Sequence, residues 1–312
     1  MSSTKLSIVI GTFNRLEQLK RCIDSIFNGT TLSVKVYVTD AGSTDGTIEY
    51  LRSIESGNLI PLFVGEKIGQ AKAYNGVFKI VDTPFVCWLS DDNEVVNSSL
   101  DIAVEILEAN PSIGLVGLKI KDVRGPFIAA PYIGGISSIG ILNVNQGVLP
   151  SALMKRIGGF SEEFLDYGID PDLTAKILFE GYKIVYTKKI ALLHHRNWNE
   201  DKESEDTKRL NEKHKRYYAL YEKKYSPYSE LWNNGISITN INRRIKRYLV
   251  NGKKVKLINQ KKLTRDIYNI VNAKYISLLD IVLNLGKKYH LVQSISKRER
   301  EYLSILKEEK KN

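Results

Sequence analysis

The chain has 312 residues, 43% of them hydrophobic and 26% charged, and its two cysteines, Cys22 and Cys87, cannot build a disulfide framework. This usage excludes a fibrous protein and a disulfide-stapled secreted scaffold, and it argues against wholesale disorder. No run reaches the roughly 18 uninterrupted apolar residues of a membrane span. Asn143, Asn145 and Gln146 break the best stretch, and the apolar residues before Gly11 are too few for a signal-peptide core. The expectation is a soluble cytoplasmic protein.

Charge divides the chain in two. Residues 1–200 carry 19 Lys and Arg against 22 Asp and Glu, whereas residues 201–312 carry 27 against 13, and the sum is the overall +11. A near-neutral first part joined to a basic tail implies two tasks, and basic tails meet polyanions. A solvated helical surface is the plain alternative.

In chain order, Leu6–Ile10 reads as a buried strand ending at Gly11. Leu16, Leu19, Ile23 and Ile26 then recur at helical spacing through Phe27. Val34–Thr39 is a second strand, Gly46–Ile54 a helix, Leu59–Val64 a third strand and Ala71–Ile80 a helix. Phe85–Leu89 is a fourth strand, followed by a helix over Leu100–Ala109. This alternation predicts right-handed βαβ units and a mainly parallel sheet. Gly114–Gln146, rich in Gly, Ile and Ser, reads as loops, and Ile184–Leu193 as one strand. The polar stretch Asn197–Thr207 marks a boundary. Leu210, Tyr217, Tyr221 and Tyr225 beyond it fall at helical intervals up to Ser226-Pro227. Further helices are expected at Ile241–Val250, Leu263–Leu285 and Lys297–Lys310. The division is thus 1–205, a catalytic domain, and 206–312, a basic helical region.

Ligands of such sheets bind beyond the carboxyl ends of the strands, so the polar residues there are the informative ones. Strand one leads into Gly11-Thr12-Phe13-Asn14-Arg15, strand two into Asp40-Ala41-Gly42-Ser43-Thr44-Asp45-Gly46, and strand four into Ser90-Asp91-Asp92-Asn93. Neither G-x-G-x-x-G nor G-x-x-x-x-G-K-[ST] occurs, which removes the main support for dinucleotide and P-loop readings. Two adjacent carboxylates at a strand mouth suit a hard cation, Mg²⁺ or Mn²⁺, although Asp91 and Asp92 could equally be turn or capping residues. Asp170 follows Gly158-Gly159-Phe160 and stands at or near a helix N-cap. It is either a general base or a cap. His194-His195 could supply a metal ligand or sit neutral in the core.

Taken in order, Thr12-Phe13-Asn14-Arg15, Asp40 to Thr47, Gly69-Gln70-Ala71-Lys72-Ala73-Tyr74-Asn75-Gly76, Trp88-Leu89-Ser90-Asp91-Asp92, Ile157-Gly158-Gly159-Phe160, Asp170-Pro171-Asp172-Leu173 and His194 resemble glycosyltransferase family 2 over about residues 4 to 200. The resemblance implies an α/β GT-A fold, Rossmann-like, with a mainly parallel central sheet flanked by helices and here extended by the basic, mostly helical C-terminal region. It implies transfer from a nucleoside-diphosphate sugar, a UDP-sugar above all, with inversion at the anomeric carbon.

By position, Thr12, Asn14 and Arg15 match the segment near the nucleotide, with Gly11 in place of the usual Pro. Asp40 is expected at the base or ribose, while Ala41 replaces the second acid. Lys72 and Asn75 match the donor-side stretch. The metal motif is altered, with Ser90 where the first acid often stands. Asp92 is the expected ligand of Mn²⁺ or Mg²⁺, Asp91 the next and also a donor-binding residue, and His194 a further ligand. Asp170 is the expected general base, with Ile169 in place of the preceding Glu and Asp172 as the fallback.

The acceptor class is a glycan or lipid-linked hydroxyl, as in surface polysaccharide biosynthesis. The tail, with Asn242-Arg243-Arg244-Ile245-Lys246-Arg247-Tyr248-Leu249-Val250, fits an anionic membrane surface, giving a peripheral location on its inner face. The more apolar Leu263–Leu285 fits packing or a homo-oligomer contact, with membrane contact and acceptor binding as the alternatives. No RNA- or DNA-binding signature occurs, so nucleic acid is not an expected partner. Two rival functions are a nucleotidyltransferase, for which Gly11–Arg15 is a poor phosphate loop, and a catalytically lapsed nucleotide-sugar-binding subunit, for which Ala41, Ser90 and Ile169 would be the marks.

Overall fold

The computed structural model describes residues 4–124, 128, 131, 132, 134, 141, 143–196, 205–227 and 289–293. Its elements in chain order are β1 (Leu6–Thr12), α1 (Leu16–Gly29), β2 (Val34–Asp40), α2 (Thr47–Ile54), β3 (Leu59–Phe63), α3 (Gln70–Ile80), β4 (Phe85–Ser90), β5 (Asn93–Val95) and α4 (Ser99–Ala109). There follow β6 (Ile113–Gly117), β7 (Ile120–Asp122), β8 (Gly147–Pro150), α5 (Ser151–Arg156), α6 (Ile169–Phe179), β9 (Lys183–Thr187), β10 (Leu192–His194), α7 (Glu205–Tyr225) and β11 (Tyr289–Gln293).

The continuous apolar run of β1 is what a central parallel strand needs, because both of its faces are covered. Leu6, Ile8 and Ile10 point into one core with α1, α2 and α4, and Val9 points into the other with α3, α5, α6 and α7. The large sheet has the order β11-β9-β6-β8-β4-β1-β2-β3. Strands β4, β1, β2 and β3 are parallel, β8 runs antiparallel between β4 and β6, and β11 is antiparallel to β9. The chain moves outward from β1 to β3 and then returns to lay β4 on the other side of β1. This reversal opens a crevice at the carboxyl ends of β1 and β4, the place where such sheets bind ligands. A small second sheet, β5-β10-β7, stands beside it.

The first four strands and their helices lie where periodicity puts them, to within two residues at most ends. Two expectations are corrected. Ile184–Leu193 is not one strand: β9 ends at Thr187, the chain turns through Lys188-Lys189, and β10 begins in the other sheet. The Thr187 hydroxyl donates to the Lys189 carbonyl at 3.1 Å and holds that turn. Nor is Gly114–Gln146 all loop, since it holds most of β6 and all of β7. The glycines that hid β6 are there for close packing: a Cβ on Gly114 would stand 2.6 Å from the Tyr182 side chain.

Helix α7 belongs to the basic half of the sequence, yet Tyr221 and Tyr225 are buried in the core that contains α3 and α6. Strand β11 has no counterpart in the expectations. The helices expected at 241–250, 263–285 and 297–310 lie outside the described residues. Among the described residues no helix is long and apolar enough to cross a membrane.

Candidate active site

Parallel pairing sets the site. Register places Gly11 between Thr39 and Ser90, so Thr12, Asp40 and Asp91 arrive together at one rim. The Thr12 hydroxyl donates to Asp91 Oδ2 at 2.9 Å, and Arg15 Nη1 donates to Asp91 Oδ1 at 2.9 Å and to Asp92 Oδ2 at 3.4 Å. Arg15 is thus the cation that allows two buried carboxylates to stand side by side.

Asp40 is completely buried and holds its own turn: Oδ1 accepts from the amides of Gly42 and Ser43, and Oδ2 from the Ser43 hydroxyl. Ser43 Oγ in turn accepts from the Asn14 amide at 2.9 Å, and Asn14 Oδ1 accepts from the Thr44 amide at 2.7 Å. Asn14 adopts φ 51°, a left-handed conformation that asparagine tolerates well. Asp45 accepts from the amides of Leu16 and Thr47 and so serves the starts of α1 and α2. The two loops after β1 and β2 are laced together before any ligand is considered.

The replacement of Pro by Gly at position 11 has a local cause. The Gly11 N–H, which a proline would lack, donates to the Tyr74 hydroxyl at 2.8 Å, and that hydroxyl donates to the Leu89 carbonyl at 2.8 Å. A Cβ at Gly11 would press on the Tyr74 ring at 2.9 Å. Tyr74 therefore ties β1 to β4 at the crevice.

Adjacent carboxylates are driven apart in pKa. Burial, reinforced by the neighbouring Asp92 charge, lifts Asp91 to about 6 against the pull of Arg15. Burial also acts on Asp92, but His194 and Arg15 outweigh it and hold Asp92 below its usual range. His194 Nε2 lies 3.3 Å from Asp92 Oδ2, and the His195 amide donates to the Asp92 carbonyl at 2.9 Å. Asp92 Oδ1 is buried with no hydrogen-bond partner among the described residues. A buried carboxylate oxygen left unpaired beside an imidazole nitrogen is the donor set a divalent cation would use. Both Asp91 oxygens are already engaged. Asp92 and His194 are therefore the better fit for a metal, and Asp91 for holding Arg15. No group of three or more potential metal-ligating side chains occurs among the described residues.

Asp170 lies in the first turn of α6, after Gly168, whose φ of 88° makes it the N-cap. The side chain keeps an edge in contact with solvent. Burial nevertheless raises its pKa to about 8, and a hydrogen bond from the Trp88 indole offsets this only in part. That indole N–H also donates to the Asn145 carbonyl at 2.7 Å. The helix N-terminus, which favours the ionised form, loses to desolvation. Ile169 is buried in the core, where a glutamate would be out of place.

Asp172 has no exposure and is spoken for: it accepts from Ser161 Oγ at 2.6 Å and Tyr225 Oη at 2.6 Å, and it pairs with Lys224 at 2.7 Å. It is a structural node, which removes it as the fallback base. Asn75 is likewise committed, with Nδ2 donating to the Phe160 carbonyl and the Glu162 carboxylate and Oδ1 accepting from the Phe160 amide. It shapes the Gly158-Gly159-Phe160 turn. Lys72 is exposed on α3.

Three contributors escaped the sequence reading: Asp122, Tyr132 and Arg196. His194 Nδ1 lies 3.1 Å from Asp122 Oδ1, which also accepts from Arg196 Nε at 3.1 Å, and Arg196 Nη2 donates to the Tyr132 hydroxyl at 2.9 Å. Only the pairing of β7 with β10 brings Asp122 to His194.

Comparison with known proteins agrees with this geometry. Residues 7–137 match the family model described as glycosyl transferase family 2. An uncharacterized glycosyltransferase of Nostoc sp. is 24% identical over 115 residues, covering 36% of this chain and 35% of the relative. The GalNAc(5)-diNAcBac-PP-undecaprenol beta-1,3-glucosyltransferase of Campylobacter jejuni is 23% identical over 211 residues, 63% of this chain and 55% of that one. The crystal structure of S. aureus TarS 1-349 in complex with UDP-GlcNAc superposes with a TM-score of 0.51 at 20% identity, covering 66% of this chain and 64% of that one. The chain thus spans about a third to two thirds of the length of these relatives. The strand order and the comparisons lead to one conclusion: residues 7–137 match glycosyltransferase family 2, and the chain has a GT-A fold.

Proposed function

We propose that this chain is an inverting glycosyltransferase that moves a sugar from a nucleoside-diphosphate donor, a UDP-sugar, to a hydroxyl of a glycan or lipid-linked acceptor. The observation that carries the reading is the cluster of Arg15, Asp91, Asp92 and His194 at one end of the parallel strands, with Asp170 on helix α6. The donor class is supported by TarS, solved with UDP and with UDP-GlcNAc, and the acceptor class by the undecaprenol-linked acceptor in the name of the Campylobacter relative.

In this reading Thr12, Asn14 and Asp40 frame the nucleotide, with Lys72 and Asn75 on the donor side, Asn75 acting through the turn it shapes. Arg15 keeps Asp91 and Asp92 oriented and ionised. Asp92 and His194 would hold a divalent cation, Mn²⁺ or Mg²⁺, which when bound supplies Lewis-acid neutralisation of the charge left on the diphosphate. The acceptor oxygen bonds to the anomeric carbon as the bond to the diphosphate breaks, and its electron pair leaves with the diphosphate. Asp170 takes the proton from the acceptor hydroxyl, a role typically worth about 10²–10⁴-fold. A single displacement needs no carboxylate nucleophile, and none is assigned. The setting is surface polysaccharide biosynthesis, with the basic tail held at an anionic membrane face or in an oligomer.

The test is a UDP-release assay with a panel of UDP-sugars and Mn²⁺, run on wild type and Asp170→Asn. The anomeric configuration of the product is read by proton NMR. Release that is metal-dependent and lost in the variant, with an inverted product, supports the reading. Retention of configuration or full activity without Asp170 sinks it.

A further inference from the structure

The small sheet β5-β10-β7 has three residues in a row that meet the site: Asn93 on β5, His194 on β10 and Asp122 on β7. Asp122 is almost completely buried, at 1% exposure, and Arg196 is buried beside it at 7%. A buried carboxylate is costly unless it serves several donors, and this one accepts from Arg196 Nε and, at 3.5 Å, from the Tyr132 hydroxyl, and lies 3.1 Å from His194 Nδ1.

We infer that Asp122 is a positioning residue for His194: it takes the Nδ1 proton, so that the Nε2 lone pair faces Asp92 and the cation held there. The inference rests on the metal reading given above. The geometry leaves little choice. Nδ1 has three polar neighbours, Asp122 Oδ1 at 3.1 Å, Arg196 Nε at 3.2 Å and the Tyr132 hydroxyl at 3.3 Å. Arg196 Nε has no lone pair and divides its one N–H between Asp122 Oδ1 and Nδ1. The Tyr132 hydroxyl accepts from Arg196 Nη2 and donates towards Asp122 Oδ1, so among the three the carboxylate is the strong acceptor for an Nδ1 proton. Asp122 is the one carboxylate in contact with Nδ1, and an imidazole that ligates through Nε2 must carry its proton on Nδ1. Arg196 and Tyr132 fix the carboxylate and touch the ring from the same side. The second sheet is thus a bracket that delivers one imidazole in one tautomer.

Metal affinity is the direct readout, with Mn²⁺ as the probe in the presence of UDP. Free Mn²⁺ is measured by electron paramagnetic resonance, and imidazole coordination by the ¹⁴N modulation of the bound-ion echo. Asp92→Ala and His194→Ala should abolish tight binding, and His194→Ala should remove the modulation. Asp122→Asn should weaken Mn²⁺ by about 10–100-fold, the usual cost of losing an outer-shell partner.

Asp122→Asn also leaves Arg196 without its carboxylate, so the Asp122→Asn, Arg196→Gln double variant, which has no unpaired buried cation, is measured beside it. Both should show the same loss, whereas Arg196→Gln alone should bind within about threefold of wild type. If the folded double variant binds Mn²⁺ like wild type while His194→Ala does not, Asp122 has no positioning role. If Arg196→Gln weakens binding as much as Asp122→Asn, the effect is one of cluster packing and the inference falls. If Asp92→Ala and His194→Ala both bind like wild type, the metal reading itself fails and takes the inference with it.

Discussion

Asp170 makes a demanding prediction because its proposed task and its environment pull in opposite directions. Burial raises its pKa from 3.8 to about 8. The native chain therefore carries a protonated Asp170 at neutral pH, whereas the unfolded chain ionises it near pH 4. Below pH 4 both states are protonated and the group contributes nothing to the balance. As pH climbs from about 4 to about 8 the unfolded state alone releases the proton, and stability falls. Above about 8 both states are ionised and the penalty is constant. Asparagine does not titrate, so Asp170→Asn should match wild type near pH 4, gain through pH 8 and then level off.

A rise to about 8 corresponds to at most about 6 kcal/mol, at roughly 1.4 kcal/mol per pH unit. The Trp88 hydrogen bond is already contained in that value, so about 6 kcal/mol is the ceiling of the span between pH 4 and 8. At about 2–4 °C per kcal/mol for a chain of this size, even a third of that ceiling is a shift of about 4–8 °C in melting temperature, measured by thermal melts of both proteins at half-unit steps from pH 4 to 9. The same variant should lose at least about 10²-fold in turnover. In wild type kcat/KM should rise with pH and level off above about 8, as the base becomes ionised. A difference in melting temperature that stays flat from pH 4 to 9 would refute the reasoning, since it would mean that Asp170 is ionised in the native state throughout.

Asp92→Ala should cost at least about 10-fold in Mn²⁺-dependent UDP binding while shifting the melting temperature by only a few degrees, as titration calorimetry with and without Mn²⁺ will report. Asp172→Asn should do the reverse: it breaks the buried ion pair with Lys224, leaving that lysine its exposed pairing with Glu163, and weakens the contacts to Ser161 and Tyr225. We expect a loss of about 2–3 kcal/mol in denaturant unfolding with turnover per folded molecule unchanged. Tyr74→Phe strands the buried Gly11 N–H and Leu89 carbonyl, which should cost about 1–3 kcal/mol in the same unfolding measurement.

How much of this was legible in the sequence follows from the range of the interactions involved. The strands β1 to β4 and their helices are local patterns of apolar residues, and a parallel sheet places its polar residues at one rim by construction. Thr12, Asp40, Asp91 and Asp92 could therefore be found by reading past the end of each strand. Strand β6 could not, because its glycines answer to residues distant in sequence, Gly114 to Tyr182 and Gly117 to Val144 and Tyr186. Asp170 could be found at a helix start, but its charge state could not be read there. The helix N-terminus is visible in the sequence, whereas the burial that overrides it belongs to the tertiary structure. Asp172 is two residues away and looks equivalent on paper, yet it faces Tyr225 and Lys224 of a helix more than fifty positions later. Asp122 is a lone acid in a stretch without periodicity, and only strand pairing gives it a partner.

Helix α7 carries the remaining consequence. On charge alone, a cut near Thr207 would separate a catalytic domain from a basic appendage. Tyr221 and Tyr225 forbid it, because they are 0% and 3% exposed and pack in the core with residues of α3 and α6. Each ring removes about 150–250 Å² from water, and at about 25 cal/mol per Å² the pair contributes up to roughly 8–12 kcal/mol. That is comparable with the whole stability of an ordinary domain. The cut would also leave Asp172 buried without Tyr225 and Lys224, and would uncover Gly168, on which the Tyr217 ring packs. A chain ending at Thr207 should therefore show no cooperative melt, whereas one ending at Pro227 keeps α7 and, among the described elements, gives up β11 alone, a strand at the edge of the sheet. The second chain should melt cooperatively and bind UDP with Mn²⁺ like the full protein. Thermal melts and calorimetry on the two chains decide it. A cooperative melt of the shorter chain close to that of the longer one would mean that α7 is an appendage after all, and that the tyrosine core is dispensable.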